Sequence, residues 1–140
     1  MAAHVTLSPR QLVGAILAVA VGGAFGTLAR DLALTLDPAS HSRSWMSHVP
    51  WALLVINVLG VFVATVLLRG PLRRHDPNDT WRLLWITGVL GGFTSYSSLF
   101  VALGEIWHLS VPAGVGTGAV AVASGVAAAA LGLRVRWRHR

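Results

Sequence analysis

Residues 88–100 read GVLGGFTSYSSLF, inside a stretch from Leu83 to Trp107 that is otherwise apolar enough to cross a bilayer. Gly91 and Gly92 weaken a helix that would satisfy its own backbone, and Thr94, Ser95, Tyr96, Ser97 and Ser98 follow as consecutive hydroxyl residues. In hydrocarbon each unsatisfied polar group costs several kcal/mol. Irregular backbone persists at that depth only where protein or a water-filled cavity satisfies it. The segment reads as a helix interrupted at Gly91-Gly92 for a chemical purpose.

The rest of the chain sets that segment in a membrane. Its 140 residues are 54% hydrophobic and only 11% charged, against roughly 25% charged in a soluble domain. There is no cysteine, so neither disulfides nor thiolate metal sites are available. The net charge of +6 comes entirely from arginine, with no lysine. These arginines flank apolar runs rather than lining one soluble helix face, which argues for a bilayer partner and against nucleic acid.

Four apolar runs, about 12–34, 50–68, 82–107 and 111–133, each supply the ~20 residues a spanning helix needs. They predict an all-α integral membrane protein with a single domain over residues 1–140. The first run follows Ser8-Pro9, a cap and first-turn pair, and is longer than the apolar core of a signal peptide. The third follows HDPNDT, in which Asp79 or Thr80 can cap. Trp45, Trp51, Trp81, Trp107 and Trp137 fall near span ends, where amphipathic rings favour the headgroup region. With four spans, Arg10, Arg69, Arg73, Arg74, Arg82, Arg134, Arg136, Arg138 and Arg140 share one side, against Arg30 and Arg43 on the other. This asymmetry predicts one insertion orientation in the cell membrane, with both termini cytoplasmic.

Several polar groups fall within the spans. Asn57 interrupts PWALLVINVLGVF with an amide that can line a pore or bond a neighbouring helix, the latter contributing ~0.6–2 kcal/mol. Thr117 and Ser124 share a face of the fourth span with Ala121 between them, as a polar track or as hydroxyls bonded back to their own helix. Arg30 ends the first span in GGAFGTLAR beside Asp31, where it can snorkel, pair, or draw anions to a vestibule. Gly22 with Gly26, Gly88 with Gly92, Gly114 with Gly118 and Ala121 with Gly125 have the spacing of closely packed helices. No nucleophile–base set, histidine–carboxylate cluster or phosphate loop appears, so an enzyme is not expected. Carbonyls exposed at 88–100 suit small cations, while hydroxyl and amide donors and aromatic ring edges suit small anions.

GGAFGTLAR, LLVINVLGVF and GVLGGFTSYSS, in that order on four spans, resemble the three motifs of the CrcB-type, or Fluc, fluoride channels. The likeness covers nearly the whole chain. It implies an antiparallel dimer of four-helix subunits with a broken third helix, and passive export of fluoride that relieves its toxicity. It further implies a structural sodium ion held by main-chain carbonyls in the Gly92, Phe93, Thr94 and Ser95 region. By the same resemblance Asn57, Tyr96, Ser97 and Ser98 line the anion path and Arg30 is a vestibule charge; Thr117 and Ser124, from their shared helix face, are the candidates for a thin polar track on the fourth span.

One position departs from the family. Two phenylalanines three apart commonly occupy the third motif, and the matching residues here are Tyr96 and Leu99. Leu99 has no quadrupole, and Phe100 is turned about 100° away on a helix. This departure and the one-sided arginines predict pairing with a paralogous subunit of opposite orientation, since identical antiparallel chains need balanced loop charges. A non-conducting structural subunit is the alternative. A small multidrug or guanidinium exporter lacks support because no acid sits mid-membrane in the first span.

Overall fold

The computed structural model describes residues 8–35, 49–70, 72 and 79–135. Arg43, Trp45, Arg73, Arg74, most of HDPNDT, Arg136, Trp137, Arg138 and Arg140 lie outside the described residues. The described chain is helical, with four long apolar helical spans: Pro9–Thr35, Trp51–Arg69, Thr80–Leu109 and Val111–Arg134. We refer to the first two as α1 and α2. The third comprises α3 (Thr80–Arg82), a π-helical segment (Leu83–Leu90), α4 (Gly91–Phe93) and α5 (Tyr96–Leu109), and the fourth is α6 (Val111–Arg134).

Local chemistry accounts for most helix ends. At the start of α1, Ser8 N–H donates to Gln11 Oε1 at 2.9 Å and Gln11 N–H to Ser8 Oγ at 3.4 Å, a reciprocal box that satisfies two amides without intrahelical acceptors. Ser110 caps α6, its Oγ accepting from Ala113 N–H at 3.4 Å, with proline in the first turn. Asp79 does not cap with its side chain as the sequence suggests. Its backbone turns left-handed (φ 50°), and its carbonyl accepts from Leu83 N–H at 2.8 Å.

Packing depends on missing side chains. α1 and residues 83–93 run side by side in the same direction, Gly22 lying against Leu84, Gly88 and Val89, and Gly26 against Val89 and Phe93. A Cβ on Gly92 would stand 2.5 Å from the Gly23 carbonyl oxygen. Between helices in lipid there is little hydrophobic driving force, so such backbone proximity is what gains dispersion energy. α2 packs on α6, and α5 on α6, where Gly114 meets the Trp107 ring.

The buried core is small: Leu53, Leu54, Ile56, Leu99, Ile106 and Ala128, with two polar members, Asn57 and Ser95. Only 11% to 28% of the most apolar window of each span is buried within the subunit. The remaining apolar surface, including Phe25, Leu28 and Val126, is available to lipid or to another protein. Trp51, Trp81 and Trp107 are well exposed at helix ends, as amphipathic interface rings require.

Candidate functional site

Gly91 and Gly92 do not interrupt the helix; both belong to α4. Their cost in helix propensity, ~1 kcal/mol each, is offset at Gly92 by contact with α1. Helical geometry stops two residues later, where Thr94 (φ −80°, ψ 144°) and Ser95 (φ −142°, ψ 95°) are extended.

What stops it is a tertiary bond. Ser95 N–H, which in a continuous helix would donate to Gly91, donates instead to Asn57 Oδ1 on α2 at 3.0 Å. Both residues are 6% exposed. An N–H can only donate, so this bond fixes the amide orientation and points Asn57 Nδ2 elsewhere. Nδ2 is buried and, among the described residues, has no hydrogen-bond partner. An unsatisfied donor at such a place costs ~1–3 kcal/mol and calls for a ligand or a partner to explain it.

Ser95 also begins α5. Its Oγ accepts from Ser98 N–H at 3.3 Å and lies 2.7 Å from Ser98 Oγ and 3.3 Å from Ser97 Oγ. The three serines thus share one hydroxyl cluster on the first turn of a helix whose dipole favours negative charge. Thr94 is withdrawn from it, since its Oγ1 and N–H both donate to the Leu90 carbonyl at 2.9 Å. Its methyl is pressed against Gly60, where any Cβ would collide with Thr94 Cγ2. Asn57 and Gly60, three apart on one face of α2, therefore grip Ser95 and Thr94 together. Gly60 and the capping role of Ser95 were missed in the sequence. The i, i+3 spacing of an amide and a glycine in an apolar span was the available signal.

Carbonyls change at the same place. Among the described residues, the Thr94 carbonyl accepts no backbone hydrogen bond, whereas that of Ser95 accepts from Leu99 N–H at 3.3 Å. An oxygen freed by the end of one helix thus stands beside the donors that begin the next.

The other expected residues are dispersed. Arg30 is half-buried on α1 and, among the described residues, forms no ion pair with Asp31. It lies four residues, about 6 Å of rise, beyond the Gly26–Phe93 contact. Tyr96 is 58% exposed while Leu99 is buried. Both line an apolar groove of about 480 Å³ between α5 and α6, together with Phe100, Leu103, Gly118 and Val122. Thr117 and Ser124 share the stripe of the buried Ala128 rather than lining that groove. Ser124 Oγ donates to its own helix, to the Ala121 carbonyl at 3.0 Å, so it is not joined to the serine cluster.

Comparison with known sequences spans this whole arrangement. A profile of the family described as CrcB-like protein, camphor resistance (CrcB), matches residues 17–133. The chain is 35% identical over 112 residues to the fluoride-specific ion channel FluC of Francisella tularensis subsp. holarctica, covering 68% of this chain and 96% of that one. It is 40% identical over 84 residues to a FluC of Roseiflexus sp., covering 60% of this chain and 64% of the relative. With a FluC of Erythrobacter litoralis the identity is 41% over 95 residues, covering 66% and 67%.

Proposed function

The chain belongs to the CrcB family, and on that premise we propose that it is one subunit of a fluoride-selective channel that lets cytoplasmic fluoride leave passively and so relieves its toxicity. The observation that carries the reading is the buried, unpartnered Asn57 Nδ2, held at the Thr94–Ser95 interruption by the bond between Asn57 Oδ1 and Ser95 N–H. A small anion entering a bilayer must exchange most of its water for fixed donors. Asn57 Nδ2 offers two, and the Ser97 and Ser98 hydroxyls and the first turn of α5 add more. Tyr96 presents an aromatic ring and Arg30 holds a fixed positive charge on the approach, whereas Thr117 and Ser124 stand apart from this row, the Ser124 hydroxyl already donating to its own helix. Selectivity then comes from a narrow row of donors rather than from net charge.

The third span acts as a broken helix whose loose ends serve two ions. The main-chain oxygens of Gly92, Phe93 and Thr94 are hard and uncharged, and that of Thr94 accepts no backbone hydrogen bond among the described residues, which fits a structural sodium ion. Ser95 contributes less, because its carbonyl is already engaged by α5. When bound, the cation supplies a fixed positive charge that holds the loose backbone ends.

The subunit pairs antiparallel, with both termini cytoplasmic, and its partner is a paralogue of opposite orientation. Support comes from nine arginines against two on the two sides and from the groove between α5 and α6, where a buried Leu99 stands in place of a second ring. The same leucine favours a second reading, in which this subunit is structural and only its partner's pore conducts.

Fluoride efflux from liposomes tests both, with chloride as control and with or without the paralogous subunit. Selective efflux only from the pair is the expected result. Efflux from this chain alone would remove both the need for a paralogue and the structural reading, and none in either case would overturn the channel reading.

A further inference from the structure

α2 and α6 run in the same direction, and Gly132 brings them so close that a Cβ there would stand 2.9 Å from Thr65 Cβ. Beyond this contact the helices end nearly together, α2 at Arg69 and α6 at Arg134. A crevice of about 500 Å³ remains at that end, lined by Thr65, Leu68, Arg69 and Leu133.

The chemistry of the crevice is divided. Leu68 and Leu133 form an apolar wall, and Thr65 Oγ1 is already committed to the Val61 carbonyl at 2.8 Å. The Arg69 guanidinium carries the charge, and Arg134 follows Leu133 directly. Among the described residues neither arginine has an ion-pair partner. One arginine at each helix end is sufficiently explained by the negative pole of the helix dipole. The sequence exceeds that: 69–74 and 134–140 together hold Arg69, Arg73, Arg74, Arg134, Arg136, Arg138 and Arg140, without one acidic residue.

We propose that this crevice binds a single anionic phospholipid, its phosphate held by Arg69 and Arg134 and an acyl chain lying along Leu68 and Leu133. A guanidinium matches phosphate oxygens with two parallel donors, and basic pockets between helices at the cytoplasmic surface are suited to anionic headgroups. A free phosphate would use the charge and leave the leucine wall uncovered. The lipid covers both. The choice of cytoplasmic leaflet rests on the orientation proposed above, whereas the crevice chemistry is independent of which ion the protein conducts.

The full chain, purified in neutral detergent, is melted with added phosphatidylglycerol, phosphatidylcholine or inorganic phosphate, so that neither conduction nor orientation enters the measurement. Phosphatidylglycerol should raise the melting midpoint by several degrees, and the other two should not. R69Q and R134Q should each lose part of that shift and R69Q/R134Q all of it, while R10Q/R82Q, which removes the same charge at the same membrane surface, should keep it. Equal loss in both double variants would reduce the effect to a general surface potential and overturn the site. Equal stabilisation by inorganic phosphate would make it an anion site rather than a lipid site. No shift with phosphatidylglycerol would remove the proposal outright.

Discussion

The two sides of the third span are built differently. Residues 83–93 meet α1 backbone to backbone through Gly22, Gly26, Gly88 and Gly92, so this seam is closed within one subunit. Beyond the interruption, α5 faces α6 across an apolar groove of about 480 Å³, and Gly125 on its wall has no other group within 4 Å of where a Cβ would stand. One side is finished by its own chain, while the other has the form of half an interface. On the function proposed above, an ion path that opens only on assembly belongs on the unfinished side, and the helix interruption lies where the two meet.

Breaking the finished side should have the largest effect. A Cβ on Gly26 would run into the Val89 carbonyl and stand 2.8 Å from Phe93 N. Backbone cannot swing aside as a side chain does. Gly26→Val should therefore cost more than the ~1–3 kcal/mol usual for overpacking and abolish the folded protein, as size-exclusion chromatography in detergent would reveal. A folded Gly26→Val chain would mean that the seam is looser than its geometry.

Asn57 joins the two sides, and its two amide ends can be separated. Asn57→Asp keeps an oxygen to accept from Ser95 N–H, removes the Nδ2 donors and opposes an anion. It should leave most of the protein folded and eliminate fluoride flux. Asn57→Ala should additionally destabilise by ~1–3 kcal/mol, because Ser95 N–H loses its acceptor. Flux through Asn57→Asp equal to the parent would remove Asn57 from the path.

Much of this was legible in the sequence. Hydropathy reads the thickness of hydrocarbon, so four spans were expected at about 12–34, 50–68, 82–107 and 111–133; helices run slightly past most of these limits because end residues outside the apolar runs, such as Pro9, Arg10 and Arg69, are helical too. The polar residues of the interruption were also visible as types. Its position was not. Gly91-Gly92 resembles a break because glycine lowers helix propensity, but close approach to α1 outweighs that, and the helix ends where Asn57 captures Ser95 N–H. Asn57 and Ser95 are 38 residues apart in sequence, and neither periodicity nor propensity encodes such a bond. The π-helical stretch at Leu83–Leu90 likewise left no trace in the residue pattern.

A smaller perturbation tests how α2 is set against the interruption. Gly60→Ala forces a Cβ onto the Thr94 methyl and should cost ~1–3 kcal/mol, lowering both the melting midpoint and flux. Thr94→Ser removes that methyl and keeps a hydroxyl for the Leu90 carbonyl, so Gly60→Ala/Thr94→Ser should recover both quantities. Thr94→Val keeps the methyl and should not rescue. Equal rescue by serine and valine would mean that the contact does not position Asn57.

The smallest expected effect reads the unfinished side directly. Glycine inside a helix is ~0.5–1 kcal/mol less favourable than alanine, and nothing within this subunit requires it at position 125. In subunits dispersed in detergent, Gly125→Ala should therefore raise stability slightly. In the assembled channel the sign should reverse, because a helix seated in the groove would meet the added methyl and the pair would dissociate more readily. A gain in both states would mean that lipid alone fills the groove and that the partner docks on another face. The change of sign, rather than its size, distinguishes half an interface from an ordinary lipid-facing surface.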